Sequence, residues 1–193
     1  MSDNSNAETL ARFQAASDVF DEKVHVVPDD RWTAPTPCTD WDVRTLVNHV
    51  VGEQRWVVPL MAGKTVADVG TDLDGDLLGS DPCAAWHHAC GPAHDAFAAP
   101  GALDGTVHLS YGDEHAAAYC DQLSFDALLH AWDLARGAGL DDELPADLVV
   151  WGIGWVTPIL PMLSGSGMFG QPVALPDGAD AQSRLLALVG RTR

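Results

Sequence analysis

Residues 117–136, AAYCDQLSFDALLHAWDLAR, decide the fold of this chain. Leu123, Ala127, His130 and Leu134 recur at three- and four-residue steps, so they share one stripe of a helix. Gly137 and Gly139 follow as stop signals, because glycine accepts the left-handed conformation that closes a helix. Two polar side chains lie in the same stretch. Asp126 and His130, four residues apart, project from one face and can hold one ion between them.

Working outward, the same periodicity recurs on both sides. From Glu8 to Val27 the residues Leu10, Phe13, Phe20, Val24 and Val27 form one apolar face, which predicts a first helix. A proline-rich stretch from Pro28 to Pro37 breaks it. Thr39, with Asp42 three residues on, has the pattern of a cap and its partner, and Cys38 with Val43 suits a hydrophobic staple. A second helix is expected there, with Val43, Leu46, Val47, Val50, Gln54 and Val57 along one face and an end near Pro59 to Gly63. Thr65 to Ser80 is acidic and glycine-containing and reads as an exposed loop. Asp81 and Pro82 open a third helix, in which Gly91 and Pro92 predict a kink or break. Thr106 to Ala116 reads as a short hairpin or extended crossing, with Gly112 and Asp113 available for its turn. Beyond the central stretch, a helix opens near Pro145 and carries Leu148, Trp151, Trp155, Ile159 and Leu160, bent or ended by Pro158 and Pro161. The tail follows as an extended Pro172 to Leu175, a turn at Pro176-Asp177-Gly178, and a short helix from Ala181 to Val189 ended by Gly190. The expectation is a mainly all-α protein, an antiparallel four-helix bundle with a small C-terminal extension, forming one domain over residues 1–193.

Composition narrows the partners. The 193 residues carry 28 acidic against 10 basic side chains, a net charge of −18, and that field repels phosphate backbones and anionic lipid headgroups. Nucleic acid and membrane surfaces are therefore not expected. Met1 to Glu8 lack a basic start and apolar run, and no stretch approaches the ~18 apolar residues of a membrane span, so the expected location is the cytoplasm. The four cysteines, Cys38, Cys83, Cys90 and Cys120, form no close zinc-type pairs and read as free thiols. Seven tryptophans suit a pocket, a homodimer surface or, more commonly in a bundle, the core.

His49 shares the general side of the second helix with Leu46, Val50 and Gln54, so helix packing can turn its imidazole toward Asp126 and His130. Two imidazoles and one carboxylate leave a coordination position open, the arrangement of catalytic rather than structural zinc. The same donors suit nickel, iron or manganese. The plain alternative stands beside this. A single helical histidine is commonly a hydrogen-bonded core residue or a solvent-facing one, and His49 alone reads that way; the Asp126 and His130 pair alone serves equally as a solvated polar pair. Asp133, three residues after His130, either orients that imidazole or faces water. Glu53, four residues after His49, ranks below Asp126 as a ligand. His87, Cys90 and His94 form a rival set that requires a continuous third helix, while His25, His108 and His115 have no evident partners.

Three segments carry a resemblance. PCTDWDVRTLVNHVVG from Pro37 to Gly52, FDALLHAWDLARGAG from Phe125 to Gly139, and the closing LLALVGR resemble the DinB-like metal-binding proteins, in the actinobacterial branch that includes mycothiol-dependent maleylpyruvate isomerase. That resemblance implies a DinB-like four-helix bundle, a metal site at His49, Asp126 and His130, often filled by zinc, and a low-molecular-weight thiol such as mycothiol or bacillithiol as cosubstrate. Arg44, Arg55 and Arg136 are the sequence candidates for meeting an anionic substrate. Two departures are visible. The isomerase has a further C-terminal domain beyond its bundle, and it has glutamate where this chain has Asp126, so an activity other than maleylpyruvate isomerisation is expected. The expected function is a metal-dependent thiol S-transferase or related enzyme acting on a small electrophile. The alternatives are a metal-binding stress or regulatory protein without turnover and a purely structural helical module.

Overall fold

A computed structural model describes residues 2–163 and 170–193, and the chain divides into two compact units, Met1–Leu140 and Asp141–Arg193. The first unit holds helices α1 (Ser2–Val24), α2 (Val43–Met61), the short α3 (Val66–Val69), α4 (Pro82–Ala98) and α5 (Ala116–Ala138), with a hairpin of β1 (Thr106–Leu109) and β2 (Gly112–His115) leading into α5. The main packing pairs close a ring: α1 lies on α5, α5 on α2, α2 on α4, and α4 on α1. This is the four-helix, all-α bundle with hairpin that the periodicity predicts.

Its centre is aromatic and aliphatic. Phe13 of α1 meets Phe97 of α4 edge-on at 5.1 Å, Phe97 meets Tyr119 of α5 at 5.8 Å, and Phe20 lies 4.7 Å from Trp86. Leu103 and Val107, around the start of the hairpin, join Phe13, Phe97 and Tyr119 in one cluster. The hairpin is antiparallel with Thr106 opposite His115 and Leu109 opposite Gly112, so the turn falls at Ser110 and Tyr111, and Gly112 and Asp113 belong to the second strand. His115 then caps α5 by accepting a hydrogen bond from the Ala117 amide at 3.3 Å.

Several boundaries differ from the sequence expectation. Helix α1 begins at Ser2, upstream of its apolar face. The cap of α2 is Asp42, not Thr39: its carboxylate accepts from the Thr45 amide at 2.7 Å, and those hydrogen bonds hold the carboxyl below its ordinary range. Helix α4 runs through Gly91 and Pro92 without a break, because burial of Ala89, Ala93 and Phe97 on the bundle offsets the hydrogen bond that Pro92 removes. The segment 65–80 is not wholly loop, since it contains α3 and buries Leu78. Helix α5 is not buried on one stripe only; Phe125, Leu128, Leu129, Ala131 and Trp132 are buried as well, as befits a helix apolar almost all round.

Helix α5 also continues past Gly137 and stops at Gly139, which is left-handed at φ 74° and bonds back to the Ala135 carbonyl. Gly137 has a different use. A β-carbon there would sit 2.9 Å from Thr36 Cγ2, 3.0 Å from Val43 Cγ2 and 3.2 Å from the Pro35 carbonyl. The missing side chain lets the loop before α2 lie directly on α5. That loop is fixed by Thr36, whose amide and hydroxyl donate to the Trp41 carbonyl at 3.1 and 2.9 Å.

In the second unit, α6 (Ala146–Val156) packs on α8 (Ala181–Leu188), and α7 (Leu160–Leu163) lies between them in sequence. Gln182 ties the unit's start to α8: its side chain donates to the Asp142 carbonyl at 2.7 Å and accepts from the Leu144 amide at 2.9 Å. The tail helix and its Gly190 stop fall where the sequence places them, with Gly190 left-handed.

Two glycine substitutions test the close approach at α5. Gly137→Ala is expected to destabilise the protein by about 1–3 kcal/mol through overpacking. Gly154→Ala, at an exposed position of α6 with nothing within 4 Å of the added carbon, is expected to stabilise by roughly 0.5–1 kcal/mol through helix propensity. Urea unfolding of both variants reads the two signs.

Candidate metal centre

Helices α2 and α5 bring the three expected donors together. His49 comes from α2, and Asp126 and His130 come from successive turns of α5; one donor atom from each lies within 4.8 Å of the others. His130 Nε2 is 3.3 Å from Asp126 Oδ1, and His49 Nε2 is 3.7 Å from Asp126 Oδ2. The two imidazole rings meet edge-to-face at 5.1 Å. The His130 side chain is 9 % exposed, whereas His49 and Asp126 keep 30 % and 25 % of their surface. The cluster is thus anchored on its inner side and open on its outer one.

The inner anchor is Asp133. Its fully buried carboxylate lies 3.0 Å from His130 Nδ1 and accepts from the Cys38 thiol at 3.2 Å. With its Nδ1 side held by Asp133, His130 turns Nε2 toward Asp126 and His49. A ligating histidine is commonly held in this way by a carboxylate on its far nitrogen. Cys38, His130 and Asp133 are themselves close enough to share an ion. Asp133 is completely buried, whereas His49 and Asp126 are partly exposed, so the Nε2 side is the more accessible one.

Cys38 is therefore not the staple of α2; the loop seated on Gly137 carries it inward to Asp133. Trp41, on the same loop, lies 4.7 Å from the His49 ring and 5.8 Å from the His130 ring and walls one side of the cluster. Sequence reasoning passed over Trp41, although it stands inside PCTDWD, one residue before the α2 cap.

Electrostatics explains the tightness. Burial alone would raise the Asp126 carboxyl, but the charge and hydrogen bonds of His130 and His49 overcome it and hold the group well below the usual carboxylate range. Burial alone would lower His130, and Asp126, Asp133 and Cys38 together raise it well above an ordinary imidazole. Glu53, one turn along α2 from His49, is raised by burial and by repulsion from Asp126. Three carboxylates, Asp126, Asp133 and Glu53, thus gather around two imidazoles.

The other sequence candidates lie elsewhere. Arg44 pairs with Asp76 at 2.8 Å and bonds the Gly79 carbonyl, Arg55 bonds the Leu77 carbonyl, and Arg136 is exposed, 5.8 Å over the Trp132 ring. Arg44 and Arg55 thus fasten the 76–79 loop. Cys90 and His94 line a groove beside α1, and His87 meets His25 and Asp21 there. His25 thus has partners that the sequence did not suggest. So do His108, 2.6 Å from Asp113, and His115, the cap of α5.

The family described as mycothiol maleylpyruvate isomerase N-terminal domain matches residues 13–135, from α1 into α5 and across all three donors. The chain belongs to this family. Two uncharacterized proteins of Mycobacterium tuberculosis, one from each of two strains, are each 29% identical to it over 187 residues, covering 96% of this chain and 98% of theirs. No solved structure matches the chain significantly. Among the described residues no helix is long and apolar enough to cross a membrane.

The raised Glu53 carboxyl gives a signed prediction for chelator-treated protein. An acid raised in the folded state subtracts stability as pH climbs past its unfolded value of about 4.3. Glu53→Gln should therefore stabilise the protein at pH 7, with the gain shrinking toward pH 4. Urea unfolding across that range checks it, and a gain that is largest at pH 4 would contradict the assignment.

Proposed function

We propose that this protein is a metal-dependent enzyme that uses a low-molecular-weight thiol of the mycothiol type, joining the whole thiol through its sulfur to a small electrophile. One observation carries the reading: His49, Asp126 and His130 converge with their outer side exposed while a buried Asp133 backs the inner side. A site serving structure alone needs no accessible face, and zinc sites of that kind are closed by four protein ligands.

The donor set fits a divalent ion of the zinc class. His49 and His130 offer imidazole nitrogens, Asp126 a carboxylate, and the surplus of negative charge from Asp126, Asp133 and Glu53 favours a dication. Such an ion, when bound, supplies the positive charge that stabilises a thiol as its thiolate at neutral pH. The chain's own residues do the rest. Asp133 fixes the ring plane and tautomer of His130, Trp41 excludes water from one flank, and Glu53, a stronger base for being raised, is suited to accept the proton that the thiol gives up. Neighbouring Tyr119 is buried with its hydroxyl unpaired, and burial pushes its pKa up, so at neutral pH it stays protonated and keeps a proton to donate.

The test is metal content by elemental mass spectrometry on untagged wild type and on His49→Ala and His130→Ala, with calorimetric titration of mycothiol into each. Both variants are expected to lose one zinc-class equivalent and all metal-dependent thiol binding. Asp133→Asn should keep the site but weaken metal binding by about 10- to 100-fold. Metal that binds without any thiol affinity would instead favour a protein without turnover. Wild type that neither holds nor takes up metal at this centre would sink the reading altogether.

A further inference from the structure

A second group of donors lies between α1 and α4, outside the centre described above. Asp21 sits on the last turn of α1, His25 immediately follows that helix, and His87 projects from the first half of α4. One donor atom from each lies within 4.8 Å of the others. His25 Nδ1 is 2.9 Å from the Asp21 carbonyl, four residues back, so that nitrogen carries the proton and Nε2 is left bare. The bare Nε2 is 3.1 Å from His87 Nε2, with the two rings 4.8 Å apart. Nitrogens that share one ion at metal–nitrogen distances of about 2.0–2.1 Å stand roughly this far apart.

The carboxylate supplies an independent sign. Asp21 Oδ1 is buried and takes part in no hydrogen bond, although an ionised carboxylate oxygen ordinarily accepts more than one. Its contacts there are at ion-pair distance only, 3.4 Å to His25 Nδ1 and 3.8 Å to His87 Nε2. A buried anionic oxygen without a donor beside two converging imidazole nitrogens is short of one cation. Asp18 and Asp95 line the same groove and deepen its negative potential.

We propose that Asp21, His25 and His87 form a second divalent-metal site, for a zinc-class ion, that clasps the end of α1 to α4. Two nitrogens and one oxygen suit zinc, nickel or copper(II) and not calcium or magnesium, which take oxygen donors. The His25 proton on the Asp21 carbonyl is the backing that a ligating imidazole requires. Cys90 and His94 stand outside the set: burial pushes the Cys90 thiol up to about 11, away from the thiolate a metal needs, and His94 pairs with its neighbour Asp95 at 3.9 Å. The continuous α4 thus brings His87 to α1 in place of the His87, Cys90 and His94 trio that its sequence suggests. The imidazoles are 40 % and 57 % exposed, so an ion reaches them from solvent and the site is not part of the central one.

The experiment is a zinc titration of chelator-stripped, untagged full-length protein against a chromophoric competitor, at pH 7.5. Wild type is expected to take two equivalents. His25→Ala and His87→Ala should each take one and retain metal-dependent mycothiol binding, whereas the double variant His49→Ala with His130→Ala should take one and lose it. Circular dichroism of every metal-free variant controls for folding. Copper(II) loaded into the double variant should show two imidazole nitrogens by pulsed EPR, reduced to one when His87→Ala is added. A wild-type capacity of one that His25→Ala and His87→Ala leave untouched would overturn this site and leave the central one standing. A capacity of one that those variants abolish, and that the double variant keeps, would sink the central site instead and retain this one.

Discussion

A buried imidazole flanked by two carboxylates is the constraint around which this bundle is organised. Asp126 and Asp133 lie on either side of His130, one turn apart in each direction along α5, and Asp133 has no surface at all. Placing those charges inside a helix bundle is costly unless each is paired and hydrogen-bonded. The rest of the site follows from that requirement. The Cys38 thiol gives Asp133 a second donor, His49 gives Asp126 one, and the loop carrying Cys38 must lie flat on α5, which Gly137 permits.

Much of this was legible in the sequence, and for identifiable reasons. Asp126, His130 and Asp133 are spaced at four and three on one strongly periodic helix, so their common face is a property of helical geometry alone. The inward turn of His49 follows from the apolar neighbours that α2 must bury. Cys38 and Trp41 were not legible as site residues, because their position depends on a loop conformation and on a close approach at a glycine far along the chain. Pro92 misled in the opposite direction: local propensity argues for a break in α4, and tertiary burial overrides it. With α4 taken as broken, the meeting of His87 with Asp21 and His25 could not be foreseen, since it needs α1 and α4 to run side by side.

The two clusters differ in how they are built. At the centre, buried groups that are already paired to one another hold the donors in place, so their geometry persists as a salt-bridged network. Between α1 and α4 the donors are mostly exposed, and what aligns them is a single hydrogen bond to the Asp21 carbonyl and the packing of Phe20 on Trp86 close by. Burial therefore falls from the inside of the bundle to its edge, and so does the share of the geometry that local sequence specifies.

The split of the central donors between α2 and α5 has a consequence for biosynthesis. His49 leaves the ribosome well before Asp126 and His130, and the hairpin and α4 are made in between. Until then the nascent chain holds only one of the three central donors. The three donors come together only when α5 is complete and has docked against α2. The centre as a unit is thus a product of folding, completed late in the chain by the order of the helices.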